Sequence, residues 1–291
     1  MINVSISKGE NRKENVRSAL DLIAEDIKKR IGDRQIVIKP NFVSTSRQLA
    51  SSHIDQIRGI LDFLKGFHKE RVIVSEAACG DTGKAFKHFD YNNLSEEYDI
   101  QLIDLNRSPY KNVAIKDSEG RSFNVRVSAL LLDRNNYVIS AAKLKTHDAV
   151  VVTLSIKNMA MGAVLYPDKM DVHQGIRRTN LNIAELAEQV WPDLSVIDGL
   201  EGMEGNGPVN GDPIDVGIAI AGTDPLAVDR VACEVMRVDF NKVGYLNNCF
   251  ELGLGEADLQ KIDIVGYPIS ECTCPFRLHR TVEKQYRWRN H

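Results

Sequence analysis

Short apolar runs that alternate with amphipathic stretches constrain this chain more than any other feature. Runs at residues 2–6, 36–38, 71–75, 100–104, 137–140, 150–156, 194–197, 216–221 and 262–265 are rich in Val, Ile and Leu and read as strands. Between them, apolar residues recur at helical spacing over 11–31, 54–67, 181–190, 224–236 and 242–252. That alternation, sustained over 291 residues, predicts an α/β fold: a mostly parallel sheet flanked by helices. The runs 112–116 and 123–127 flank Asp117-Ser-Glu-Gly120 and predict a peripheral antiparallel hairpin. Residues 1–276 are expected to form a single α/β domain, or two closely joined lobes. The basic tail 277–291 carries five Lys/Arg and one Glu. It reads as a solvated helix or as an arm that joins a homo-oligomer.

Bulk properties remove several function classes. A hydrophobic content of 43%, a charged content of 26% and a net charge of −3 describe an ordinary globular protein with no surplus of positive charge for nucleic acid. No apolar run approaches the roughly 20 residues that span a bilayer. Residues 1–8 lack the basic-then-apolar pattern of a secretory signal, so a cytoplasmic protein without membrane partners is expected. The cysteines, Cys79, Cys233, Cys249, Cys272 and Cys274, contain no CxxC spacing. Neither a zinc ribbon nor an iron–sulfur cluster is encoded by them, and free thiols in a reducing compartment are expected.

In open α/β sheets, ligands bind beyond the carboxyl ends of strands, so the residues that follow each run are the ones to read. They are Lys39-Pro-Asn41, Ser75-Glu76, Lys143-Leu-Lys145-Thr-His147, Lys157-Asn158 and Asp198-Gly-Leu-Glu201. Lys143, Lys145 and His147 sit at i, i+2 and i+4, which places them on one side of an extended segment. Two ammoniums and an imidazole together repel one another unless they face carboxylates or a bound anion. Lys157-Asn158 follows the apolar run Ala149-Val-Val-Val-Thr-Leu-Ser-Ile156. A helix starting at Ser155, with Ser155 as its cap, would aim free N–H groups at the same pocket. Asp224-Pro225 marks another helix start, and Asp229 on that helix reads as a solvated or helix-pairing residue.

The glycine-rich stretch Gly199–Gly211 reads as a loop. It lacks the Gly-Lys-Ser/Thr of a phosphate-binding loop. Gly205 and Gly207 are expected to let backbone N–H groups approach a ligand or to let the loop move as a lid. Glu76, Asp198 and Glu201, with His53, His147 and His173, are able in principle to hold a divalent metal, although no HxH or HExxH specifies one.

The expectation is therefore an enzyme that binds a small anion, carboxylate or phosphate. Lys39, Lys143, Lys145 and Lys157 would neutralise it, and Asn41 and Asn158 would orient it. Glu76, His147 or a lysine of lowered pKa would move protons. Isomerisation, elimination and group transfer all fit this inventory.

Ile38-Lys-Pro-Asn41, Ser75-Glu-Ala77, Lys143-Leu-Lys-Thr-His147, Thr153-Leu-Ser-Ile-Lys-Asn158, Pro192-Asp-Leu-Ser-Val-Ile-Asp-Gly199, Met203-Glu-Gly-Asn-Gly-Pro208, Asp224-Pro-Leu-Ala-Val-Asp229 and Gly253-Leu-Gly255 together resemble the DUF362 family, in the same order from about residue 36 to 268. The resemblance implies a prokaryotic protein of a family with no assigned general function. Some members carry a ferredoxin-like domain, which implies as alternatives a redox accessory protein of an iron–sulfur partner, or a scaffold that uses the tail. The cluster-binding segment of those members is absent from this sequence.

Overall fold

The structure is a computed structural model that describes residues 1–289. Its strands are β1 (Ile2–Lys8), β2 (Gln35–Lys39), β3 (Val72–Glu76), β4 (Ile100–Asp104), β5 (Tyr110–Lys116), β6 (Ser122–Ser128), β7 (Asn136–His147), β8 (Val151–Thr153), β9 (Leu194–Glu204), β10 (Asp212–Gly222) and β11 (Ile262–Gly266). Among the described residues, nine form one sheet in the order β11-β1-β10-β9-β7-β2-β3-β4, with β8 on the end of β7. All neighbours pair in parallel except β10 against β1 and β9, and β8 against β7. β5 and β6 form the separate antiparallel hairpin. The mostly parallel α/β fold with its peripheral hairpin is therefore present.

Two apolar cores lie on the two faces of the sheet. One packs the helices Arg12–Asp21, Ala24–Ile31 and Ile54–Leu64; the other packs Ser155–Ala163, Gly175–Gln189, Pro225–Val235 and Gly244–Glu251. Strand β7 lies between them and is buried at every position. A strand covered on both faces is expected to be wholly apolar. This one carries no charge up to Ala142, with Asn136 and Ser140 its polar residues, and then carries Lys143, Lys145 and His147. The departure marks the functional end of the sheet.

Several expectations are corrected. The stretch 11–31 is two helices, Arg12–Asp21 and Ala24–Ile31, broken at Leu22-Ile23. The run 150–156 is a strand only at Val151–Thr153, and a helix begins at Ser155. Helix Gly175–Gln189 starts earlier than 181, and Thr179 and Asn182 are buried residues of its interior. The glycine-rich stretch is strand in its first half and loop in its second: β9 runs through Gly199 and Gly202 to Glu204 and pairs with β10, and residues 205–211 form the turn between them. Gly207 has a packing role, since a Cβ there would collide with the Thr146 carbonyl.

The tail 277–289 packs on its own chain; residues 290–291 of the predicted tail lie outside the described residues. Arg277 pairs with Glu204 and Asp212. Phe276 and Trp288 are buried. Gln285 Oε1 accepts the Val151 N–H at 2.5 Å. Val151 has φ of +69°, a costly conformation for a β-branched residue. The tail thus fastens a strained turn between β7 and β8.

Asp224 caps the helix Pro225–Val235 as expected, accepting the Ala227 N–H at 3.0 Å. Asp229 differs from expectation. It is fully buried, and its two oxygens accept Ser155 N–H and Ile156 N–H, both at 2.9 Å. It therefore caps the buried helix Ser155–Ala163 from another helix, whereas Ser155 is that helix's first residue and not its cap. These N–H groups are consumed internally and do not face a ligand. Replacing Asp229 by Ala orphans two buried donors and should cost about 2–4 kcal/mol in urea unfolding. A loss below about 0.5 kcal/mol would mean the cap is dispensable.

Candidate functional site

Strand order alone defines a crevice. From β2 the chain moves outward to β3 and β4, then returns on the other side of β2 as β7. Loops that leave β2 and β7 therefore diverge, which is where open α/β sheets bind ligands. β2 ends at Lys39, beside Ser140 of β7, while β7 continues to His147. Its last residues overhang the crevice. The crevice is a cavity of about 400 Å³ bordered by Asn41, Glu76, Lys145, His147 and Lys157 among others.

Behind this cavity lies a buried ion pair. Lys39 Nζ donates to both Glu76 oxygens at 3.1 and 2.9 Å, to Asn158 Oδ1 at 3.1 Å and to the Pro40 carbonyl at 2.8 Å. Burial lowers the Lys39 ammonium to about 8, and the Glu76 carboxylate opposes that fall. A Cβ at Gly162 would collide with this ammonium, so glycine is required there. Asn41 Nδ2 donates to Asn158 Oδ1 at 3.1 Å, and Asn41 Oδ1 accepts from Lys145 Nζ. Asn158 Nδ2 reaches Ser140 Oγ at 3.1 Å. These bonds fix both amides in one orientation.

Three more lysines border the cavity: Lys145, Lys157 and Lys169. Lys145 donates to Asn41 and to the Ala50 carbonyl at 2.7 Å. Burial pushes it well below its ordinary range, and the charges of Lys143 and Lys157 push further. Lys169 donates to the Ala77 and Gly162 carbonyls. Lys157 is only 7% exposed, yet among the described residues no hydrogen bond or ion pair reaches its Nζ. Burial lowers it to about 8. Thr153, opposite Lys145 in the β7–β8 ladder, borders the same cavity with a buried hydroxyl that has no partner.

The charges do not balance. Of the carboxylates on the cavity wall, Glu76 is held by Lys39, and the Asp148 side chain is 57% exposed at the rim. One unpartnered buried ammonium, Lys157, and one unpartnered hydroxyl, Thr153, in one cavity are what an anion would satisfy. The remaining wall is apolar, from Phe42, Val43, Ala149, Met161 and Met170. A second cavity of about 580 Å³ shares Asp148 and Pro208 with the first and is walled by His279, Arg280 and Thr281 of the tail.

His147 Nδ1 accepts the Ala149 N–H at 3.0 Å. Burial first, then Lys157, His173 and Lys145, holds the ring far below its ordinary range, so it is neutral near pH 7. His173 lies parallel to it, with ring centroids 6.5 Å apart.

The structure brings Lys39, Asn41, Glu76, Lys145, His147, Lys157 and Asn158 together. It does not bring all the expected residues there. Lys143, Asp198 and Glu201 form a separate cluster with Arg12 and His53. Arg12 Nε bonds Asp198 Oδ2 at 2.8 Å. Pairing of β7 with β9 slips between Lys143 and Lys145, and the slip separates the two lysines' surroundings. Gly205 and Gly207 border the tail and Thr146 rather than the main cavity. The cavity also includes residues that strand-end reasoning passed over: Lys169, Thr153 and, as more than a metal ligand, His173. Lys169 and His173 are spaced i, i+4, which was their available signal. Among the described residues, no group of three or more His, Cys, Asp or Glu is arranged to hold a metal, and the five cysteines are free thiols.

An α/β sheet with a lysine-lined cavity at its switch point is the class of protein that this geometry defines. The chain belongs to the DUF362 family, a domain of unknown function whose model matches residues 36–234. It is 28% identical over 217 residues to the thylakoid-associated protein sll1697 of Synechocystis sp., a match that covers 72% of this chain and 64% of that protein. The chain thus spans less than two thirds of that relative's length. A crystal structure of a Thermotoga maritima protein superposes with a TM-score of 0.46 and 11% identity, covering 67% of this chain and 52% of the other. No helix among the described residues is long and apolar enough to cross a membrane.

Proposed function

We propose that the protein is an enzyme that binds a small anion, carboxylate or phosphate, in the cavity between β2 and β7 and performs acid–base chemistry on it. One observation carries the reading: Lys157 is a nearly buried ammonium that faces the cavity with no hydrogen bond or ion pair to its Nζ among the described residues, and the half-exposed Asp148 at the rim acts on it only from a distance. Lys145 and Lys169 each use two of three N–H donors internally and keep one for a ligand. Asn41 and Asn158 act indirectly, by holding Lys145 and Lys39. The five free thiols fit a cytoplasmic setting. No observation favours the redox-accessory reading over this one.

Sulfate tests the proposal, because its charge is constant across the relevant pH range. It should raise the melting temperature, and Lys157→Ala should weaken its affinity about 10–100-fold, as expected for a lost charged hydrogen bond. Affinity should be flat below about pH 8, where Lys157 is protonated, and fall above it until it levels off at the affinity of Lys157→Ala. Equal affinity in wild type and Lys157→Ala would end the proposal.

A further inference from the structure

His147 and His173 are both neutral rings on the cavity wall, and their hydrogen bonds give them opposite tautomers. His147 Nδ1 accepts a backbone N–H from Ala149 at 3.0 Å, while the Asp148 carboxylate 3.1 Å from the same nitrogen makes no hydrogen bond to it, so the proton is assigned to Nε2. His173 Nδ1 lies 3.2 Å from the Lys169 carbonyl, which only accepts. The His173 proton is therefore on Nδ1, and Nε2 carries a bare lone pair. Both rings border the cavity and use Nδ1 on the protein, so Nε2 is the nitrogen that each leaves for a ligand. One ring is a donor and the other an acceptor, beside the unpartnered Lys157 and Thr153.

We propose that His173 is the base and His147 the electrophilic hydrogen-bond donor in the enolisation of a 2-oxo carboxylate. The inference rests on the anion-binding reading above and names its substrate class. A neutral imidazole is a weak base, with an ordinary conjugate-acid pKa near 6.5. It needs a C–H acidified by an adjacent carbonyl, and that carbonyl oxygen needs a donor as it gains charge. Neutral imidazole serves as such a donor elsewhere. In the step, His173 Nε2 takes a proton from carbon 3, and that C–H bond breaks. Its electron pair forms the C2=C3 double bond, and the carbonyl π pair moves onto oxygen. The products are an enolate and a His173 imidazolium. His147 Nε2–H holds the oxyanion by a hydrogen bond and keeps its proton. Lysine N–H groups and Thr153 hold the carboxylate. A cavity of about 400 Å³ suits a ligand of this size.

Two measurements test this. Long-range ¹H–¹⁵N spectra of the rings at pH 7 should show His147 protonated at Nε2 and His173 at Nδ1; any other pairing overturns the assignment. In D₂O, the protein should exchange the carbon-3 protons of 2-oxobutyrate about 100-fold faster than buffer. His173→Gln should lose that acceleration while keeping the melting shift induced by sulfate. Exchange at the buffer rate in a wild type that binds sulfate overturns the proton-transfer assignment and leaves anion binding standing. Undiminished exchange in His173→Gln removes His173 as the base. Failure to bind sulfate at all overturns both readings.

Discussion

Replacing Glu76 by Ala is expected to cost about 3–5 kcal/mol of folding stability, the usual result of stranding one member of a buried ion pair. Lys39 is fully buried, and its only carboxylate partner among the described residues is Glu76, at 2.9 Å. Its other acceptors, the Pro40 carbonyl and Asn158 Oδ1, are dipoles and cannot replace a full charge. Lys39 will respond by releasing its proton, so the cost in the variant should shrink as pH rises above neutrality. Lys39→Met on the Glu76→Ala background removes the stranded ammonium and should recover part of the loss. Guanidinium unfolding of the two singles, the double and the wild type gives the coupling directly. A loss under about 1 kcal/mol for Glu76→Ala would show that Lys39 is already neutral in the wild type at pH 7.

Lys157→Met should act in the opposite direction. Its ammonium falls from an ordinary 10.5 to about 8, chiefly through burial. That fall corresponds to about 3 kcal/mol of destabilisation at neutral pH. The unfolded chain holds a proton that the folded chain releases between pH 8 and 10.5, so wild-type stability gains across that window. The advantage of Lys157→Met should be full below pH 8 and gone above about 10.5. Lys39 has a similar pKa but is common to both proteins and cancels in the comparison. The same variant should lose sulfate binding. More stability with less binding is the pattern of a group kept for a ligand. A variant that is less stable than wild type at pH 7 would instead mean that Lys157 has an internal partner.

Much of this was legible in the sequence, for identifiable reasons. Strand-to-helix alternation fixes parallel strands, parallel strands put their carboxyl ends on one edge, and polar residues at those ends share a crevice. Lys39, Asn41, Glu76, Lys145, His147, Lys157 and Asn158 follow from that chain of reasoning. Lys143 does not, because the register slip against β9 depends on residues far away in sequence. Lys169 and His173 escaped because Lys169 lies within a short 3₁₀ turn, Asp168–Met170, and His173 just beyond it, away from any strand end, so their i, i+4 spacing stood alone. Thr153 was in view, but only the tertiary structure shows that its hydroxyl lacks a partner. Asp229 was misread because a cap supplied by one helix to another leaves no local signature.

The contact between Gln285 and Val151 joins residues 134 positions apart. It closes the turn that follows His147, and therefore the wall of the cavity. A ribosome making this chain at about 5–20 residues per second completes β7 well before it supplies Gln285. The lysine-lined edge of the sheet must wait, incompletely walled, for the residues that fasten it. During synthesis this is a period when a chaperone, or an early-bound anion, would matter most.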